Sequence, residues 1–69
     1  MADLRFDLEG LQEERAWVDE RLAALRAFIN GPDFEARPSV EREYLRMQHH
    51  LTAGLSEVLT QRIALIPPT

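Results

Sequence analysis

The sequence predicts an all-α chain: an antiparallel two-helix hairpin that assembles into a helical-bundle homo-oligomer. Three observations lead there. Apolar residues recur at alternating spacings of four and three through two long segments, one Asn-Gly-Pro break separates them, and Pro67-Pro68 stops the second. With 69 residues the chain forms a single domain, with helix 1 over about 3–30, a connector over 31–38 and helix 2 over about 39–66.

Helix 1 carries the seam Leu4, Leu8, Leu11, Arg15, Val18, Leu22, Leu25 and Ile29. That is the period of helices packed side by side at a shallow angle. Arg15 is the exception, a long cation where the pattern asks for leucine. A second face follows Phe6, Gly10, Trp17, Arg21, Ala24 and Phe28.

The connector opens with Asn30-Gly31-Pro32-Asp33. Asn and Gly tolerate the left-handed conformation that often ends a helix, and proline just beyond cannot continue it. Asp33 is placed to cap a short turn carrying Phe34. Ser39, directly after Pro38, is expected to cap helix 2, with Glu41 and Glu43 facing the positive end of the helix dipole.

Helix 2 supports two neighbouring seams. One is Val40, Tyr44, Met47, Leu51, Gly54, Val58 and Leu65; the other is Leu45, Gln48, Thr52, Leu55, Leu59 and Ile66. A hairpin partner covers one of them. The second then needs another chain, because a face that wide is not left wet in a stable monomer. Gly54 in mid-helix costs roughly 1 kcal/mol against alanine, which suggests a close backbone approach there.

Size points the same way. A chain this short buries only about 60% of the surface its unfolded form exposes, and such chains usually need a staple. Disulfides and thiolate metal sites are excluded by the absence of cysteine. His49 and His50 are adjacent, so on a helix they point about 100° apart and do not close on one metal. They are expected at a surface or interface. Self-association is the staple that is left.

The formal charge is −4, twelve acidic residues against eight basic ones, and every basic residue is arginine. That balance argues against wrapping long DNA or RNA, which requires many neutralised phosphates. It is compatible with one small anion held by two or three arginines, whose planar forks pair phosphate oxygens two at a time. Compositional bias of a GC-rich genome is the better account of the all-arginine usage. No signal peptide or membrane span is expected, since the apolar run Ile63–Ile66 is far too short. The expected compartment is the cytoplasm.

No catalytic constellation is present. The serines and threonines lack a nucleophile elbow, base and orienting acid, and no phosphate-binding loop or zinc motif occurs. No cofactor or metal is expected. Phe6, Trp17, Arg15 and Arg21 are more suggestive, since bases stack on aromatic planes or guanidinium groups and phosphates pair with arginine. Phe6 and Arg21 are 15 residues apart, some 22 Å along a helix axis. One chain cannot bring both to a small ligand; two copies can. The alternative takes precedence on the residues alone: Phe6 and Trp17 pack an interface while Arg21 pairs with a carboxylate such as Glu14. Arg15 and Arg62 likewise either fix register by pairing with a partner's acid or line an anion site.

The stretch Glu14-Arg15, then Arg21-Leu22, Leu25 and Phe28-Ile29, followed by Phe34, Leu45, Gln48, Val58-Leu59 and Arg62-Ile63, resembles a family of small helical-hairpin proteins of tailed and crAss-like phages. That family includes the phage anti-CBASS sponge. The likeness runs from about residue 11 to 64, and Thr52 and Leu55 depart from it where Met and Tyr are expected. The resemblance implies a hexamer that sequesters cyclic di- or trinucleotides in the host cytoplasm without cleaving them. It implies a dinucleotide pocket between protomers, with Phe6 as the stacking aromatic and Arg21 as the basic residue. The family has tyrosine at the first position, so Phe6 keeps the stacking face and loses a hydroxyl. It also implies a separate trinucleotide site near Arg62. The competing expectation is a structural or adaptor oligomer that docks on a host or virion protein. A nucleic-acid-binding regulator is disfavoured by the acidic charge.

Overall fold

The computed structural model describes residues 6–67. Asp7 decides where the first helix begins. Its backbone is extended (φ −89°, ψ 159°), and its carboxylate accepts a hydrogen bond from the Gly10 amide at 3.0 Å. This satisfies one of the N–H groups that a helix start leaves without a partner. Helix α1 therefore runs Leu8–Ile29, starting later than the expected 3–30. Phe6 and Asp7 precede it, and Leu4 lies outside the described residues.

The end of α1 also differs from expectation. Asn30 sits at φ −90°, ψ 0°, and no described residue other than glycine, nor any glycine, has a positive φ. Gly31 is needed for closeness instead. A Cβ there would stand 3.0 Å from the Ala27 carbonyl oxygen, and the Gly31 amide donates to the Phe28 carbonyl.

Phe34 organises the connector. It is only 2% exposed, meets Phe28 edge-on with centroids 6.3 Å apart, and is covered by the Arg46 guanidinium 5.0 Å from its centroid. Around it, the Ala36 amide donates to the Asp33 carbonyl and the Arg37 amide to that of Phe34. Asp33 thus enters the turn through its backbone.

Helix α2 spans Ser39–Ala64 and is capped by Pro38, not Ser39. The proline ring fixes φ at −56° with an extended ψ of 147°. Its carbonyl accepts the first helical bond, from Arg42, at 2.9 Å. No side chain caps this end. Ion pairs brace it instead: Arg37 with Glu41 at 2.7 Å and Arg42 with Glu35 at 2.9 Å. The Glu41 carboxylate raises the pKa of Arg37 above its usual value, through its hydrogen bond first and its charge second. Glu41 lies in the first turn; Glu43 falls just beyond it. Leu65 caps the far end, two residues short of Pro67.

The helices run antiparallel. Ser56 donates a hydrogen bond to the Asp19 carboxylate, and Arg62 near the end of α2 covers the ring of Phe6 at the start of α1. Leu11 and Val18 of α1 meet Leu59 of α2, with Ile63 and Ile66 packed alongside. The covered seam of α2 is therefore the one containing Leu45 and Leu59. Gln48 and Leu55, at its margin, stay exposed.

The hairpin measures 50 × 24 × 15 Å with a radius of gyration of 14.9 Å, against roughly 11 Å for a compact domain of this length. Its interior is correspondingly thin. Among the described residues only Leu11, Val18, Phe34 and Leu59 are buried apolar side chains. The other seam of α2 lies bare, with Val40, Tyr44, Met47, Leu51, Val58 and Leu65 all more than half exposed. Gly54 sits within that bare seam, and nothing in the chain comes within 4 Å of a Cβ placed there. The close approach expected at Gly54 is not made inside this chain.

Candidate functional site

Trp17 and Arg21 are one helical turn apart on α1, so their side chains fall on the same face. The Arg21 guanidinium lies 4.4 Å from the centroid of the Trp17 ring, well inside the range of a cation–π contact. Trp17 remains 57% exposed. The ring engages the charge and leaves the N–H donors of the guanidinium for another acceptor. Among the described residues no carboxylate pairs with Arg21, so the ion pair with Glu14 is not formed.

Ala24, small and one turn further on, opens space on both sides of Arg21. A groove of about 310 Å³ is lined by Trp17, Glu20, Arg21 and Ala24. A second, of about 240 Å³, lies between the helices and is lined by Arg21, Ala24, Leu25, Phe28, Leu45 and Gln48. Gln48 also lines a third of about 340 Å³ with Tyr44, Met47, Leu51, Thr52 and Leu55. Sharing Arg21 and Gln48, the three grooves join into one strip across a broad side of the hairpin. That strip carries an aromatic plane, a guanidinium, an amide and an apolar floor, which are the groups that stack a base and hold a phosphate. Glu20 is the acidic group within it.

The other candidates lie elsewhere. Phe6 and Arg62 meet at the open end of the hairpin, the guanidinium 5.4 Å from the ring centroid. Phe6 is 74% exposed and Arg62 half-buried. Arg21 is about 20 Å further along α1, so this chain alone does not unite Phe6 with Arg21. Arg15 stands half-buried on the covered seam between Leu11 and Val18 and makes no ion pair among the described residues. The five side chains thus form two aromatic–arginine pairs and one isolated arginine.

The profile of the Sequestin family matches residues 7–65, from the cap that starts α1 to the cap that ends α2. This chain belongs to the Sequestin family. No curated protein and no solved structure matches it. The span that makes it a Sequestin contains Arg15, Trp17, Arg21 and Arg62, and Phe6 stands one residue outside.

Two features of this Sequestin hairpin are absent from the sequence reading. The pairing of Phe6 with Arg62 is one; folding the chain about its connector sets residue 6 opposite residue 62, so the expected hairpin already implied it. The other is the strip through Phe28, Gln48 and Tyr44, whose signal was the pair of seams on α2 lying beside the second face of α1. His49 is half-buried with Nε2 lacking a hydrogen-bond partner, and His50 is exposed. Among the described residues, no group of three metal-ligating side chains occurs. No helix there is long and apolar enough to cross a membrane.

Proposed function

We propose that this protein sequesters cyclic di- or trinucleotide signals, or closely related nucleotides, and releases them unaltered. The observation that carries the reading is the exposed Trp17–Arg21 stack with grooves on either side. A base stacks on the indole or beneath the guanidinium, and a phosphate takes the N–H donors that the ring contact leaves unused. The family name agrees with a protein that holds its ligand and performs no chemistry.

The grooves on one hairpin are shallow, and tight sites bury most of their ligand. A second protomer supplies the missing wall, and a rigid interface slows release. The resemblance to phage sponges favours a hexamer in the host cytoplasm. In that assembly Arg21 of one protomer meets Phe6 of another, together with the Arg62 that covers the Phe6 ring, and Trp17 and Arg15 are further contacts.

Calorimetric titration with a panel of cyclic di- and trinucleotides tests this, beside mass by light scattering. The expected outcome is submicromolar binding of one member, loss of that binding in Arg21→Glu, and intact ligand after the protein is denatured. Absence of binding across the panel by a folded protein refutes it. The bare α2 seam supports a second reading, an adaptor for a host or virion protein. In that case Arg21→Glu leaves activity unchanged, and a charge in the centre of the bare seam, Leu51→Glu, abolishes it.

A further inference from the structure

We propose that the bare seam of α2 packs antiparallel against the same seam of a second copy, in a register centred between Leu51 and Gly54. The pairing stands on the helix itself and holds whether or not the nucleotide reading does.

The seam occupies positions 40, 44, 47, 51, 54, 58, 61 and 65, a stripe of about 38 Å on one side of the helix. Its alternation of four and three reads the same from either end. Turning a second copy end for end therefore matches every position. Val40 then lies opposite Leu65 of the second copy, and Met47 opposite its Val58. Tyr44, whose hydroxyl needs a polar neighbour when covered, lies opposite the second copy's Gln61.

Gly54 decides between the two orientations. It is a gap in an otherwise bulky stripe, with nothing in its own chain within 4 Å of a Cβ. The antiparallel register sets Leu51 of the second copy, 68% exposed in the single hairpin, against that gap, and symmetry repeats the fit. A parallel pair stacks glycine on glycine and leaves a void, which a packed interface avoids.

The flanks agree in charge. Antiparallel helices bring His50 beside Glu57 of the second copy and Glu43 beside its Ala64. Glu41 and Arg62, opposite in sign, fall on the other flank, and no like charges meet. On that flank Gln48 lies beside Leu55 of the second copy. Because Gln48 lines the inter-helix groove at Arg21, the second copy adds an apolar wall to that groove.

Cross-linking tests the register, because the protein has no cysteine of its own. Within one helix, residues 47 and 58 are about 16 Å apart, beyond the reach of a disulfide. The same distance separates the two copies of residue 47 in the antiparallel register. Mild oxidation of the Met47→Cys, Val58→Cys double variant is expected to give a covalent dimer, and either single variant none. Dimers from the single variants, or none from the double, overturn the proposal. A second variant, Gly54→Glu, tests the surface without disturbing the hairpin, where a side chain at 54 meets open space. Its helical circular-dichroism signal is expected to persist while the dimer dissociation constant rises at least tenfold. An unchanged mass at every concentration overturns the interface.

Discussion

Leu59→Ala tests the hairpin most directly. Leu59 is 1% exposed and lies where Leu11 and Val18 of α1 meet Ile63 and Ile66 of α2. Truncating a buried leucine to alanine costs about 2–5 kcal/mol, and less where the site collapses on the void. This hairpin is only 15 Å thick, so two helices closing together and entering water relieve part of the cavity. The expected cost is therefore in the lower half, about 2–3 kcal/mol. Domains carry roughly 0.05–0.15 kcal/mol per residue, or about 3.5–10 kcal/mol at this length, so the variant loses a large share of what holds it folded. In a thermal melt the midpoint falls by about 10–20 °C. The decisive assay is urea unfolding followed by circular dichroism at one protein concentration, with the slope unchanged and the midpoint lowered. A cost below about 1 kcal/mol would refute the pairing of the helices, because a truly buried leucine is not removed so cheaply.

Other outcomes follow from the same geometry. Asp7→Ala removes the carboxylate that accepts from Gly10 and is expected to cost about 1 kcal/mol by urea unfolding. Ser56→Ala deletes the hydrogen bond to Asp19 that ties the helices together, with an expected cost of about 0.5–1.5 kcal/mol. Arg15→Leu places an apolar residue on the covered seam and is expected to raise the melting midpoint, by about 1 kcal/mol of stability. Arg21→Lys keeps the charge and loses the planar fork. It is expected to weaken nucleotide binding by roughly tenfold in calorimetry, with the melting midpoint unchanged.

The hairpin was legible because its signals are periodic and repeat over many residues. Leucines spaced by four and three mark the two helices, and one Asn-Gly-Pro break and a terminal proline pair mark where each ends. The ends were less legible, since a cap depends on which single residue takes the extended backbone conformation. Ser39 has the better capping side chain, yet Pro38 holds that conformation and takes the position. Phe34 looked like a lone aromatic in a loop, and only its contacts with Phe28 and Arg46 reveal why the connector is compact.

The candidate site divides along the same line. Trp17 and Arg21 pair through one turn of one helix, so their proximity is written in their spacing. Phe6 and Arg62 pair across the fold, and finding them requires the register of the hairpin. At Gly54 the expected close approach is not made, because the seam that holds it faces away from α1.

Trp17 is the single tryptophan in the protein. Its ring already meets water on one side and the Arg21 guanidinium on the other. The protein's indole emission therefore comes from one location, and that location is the edge of the groove. Loss of Leu59 packing leaves an already wet indole in a similar environment. A base laid against the ring changes that environment at once, by quenching. The hairpin thus carries its own optical probe, one that reports occupancy at Arg21 more sensitively than it reports unfolding.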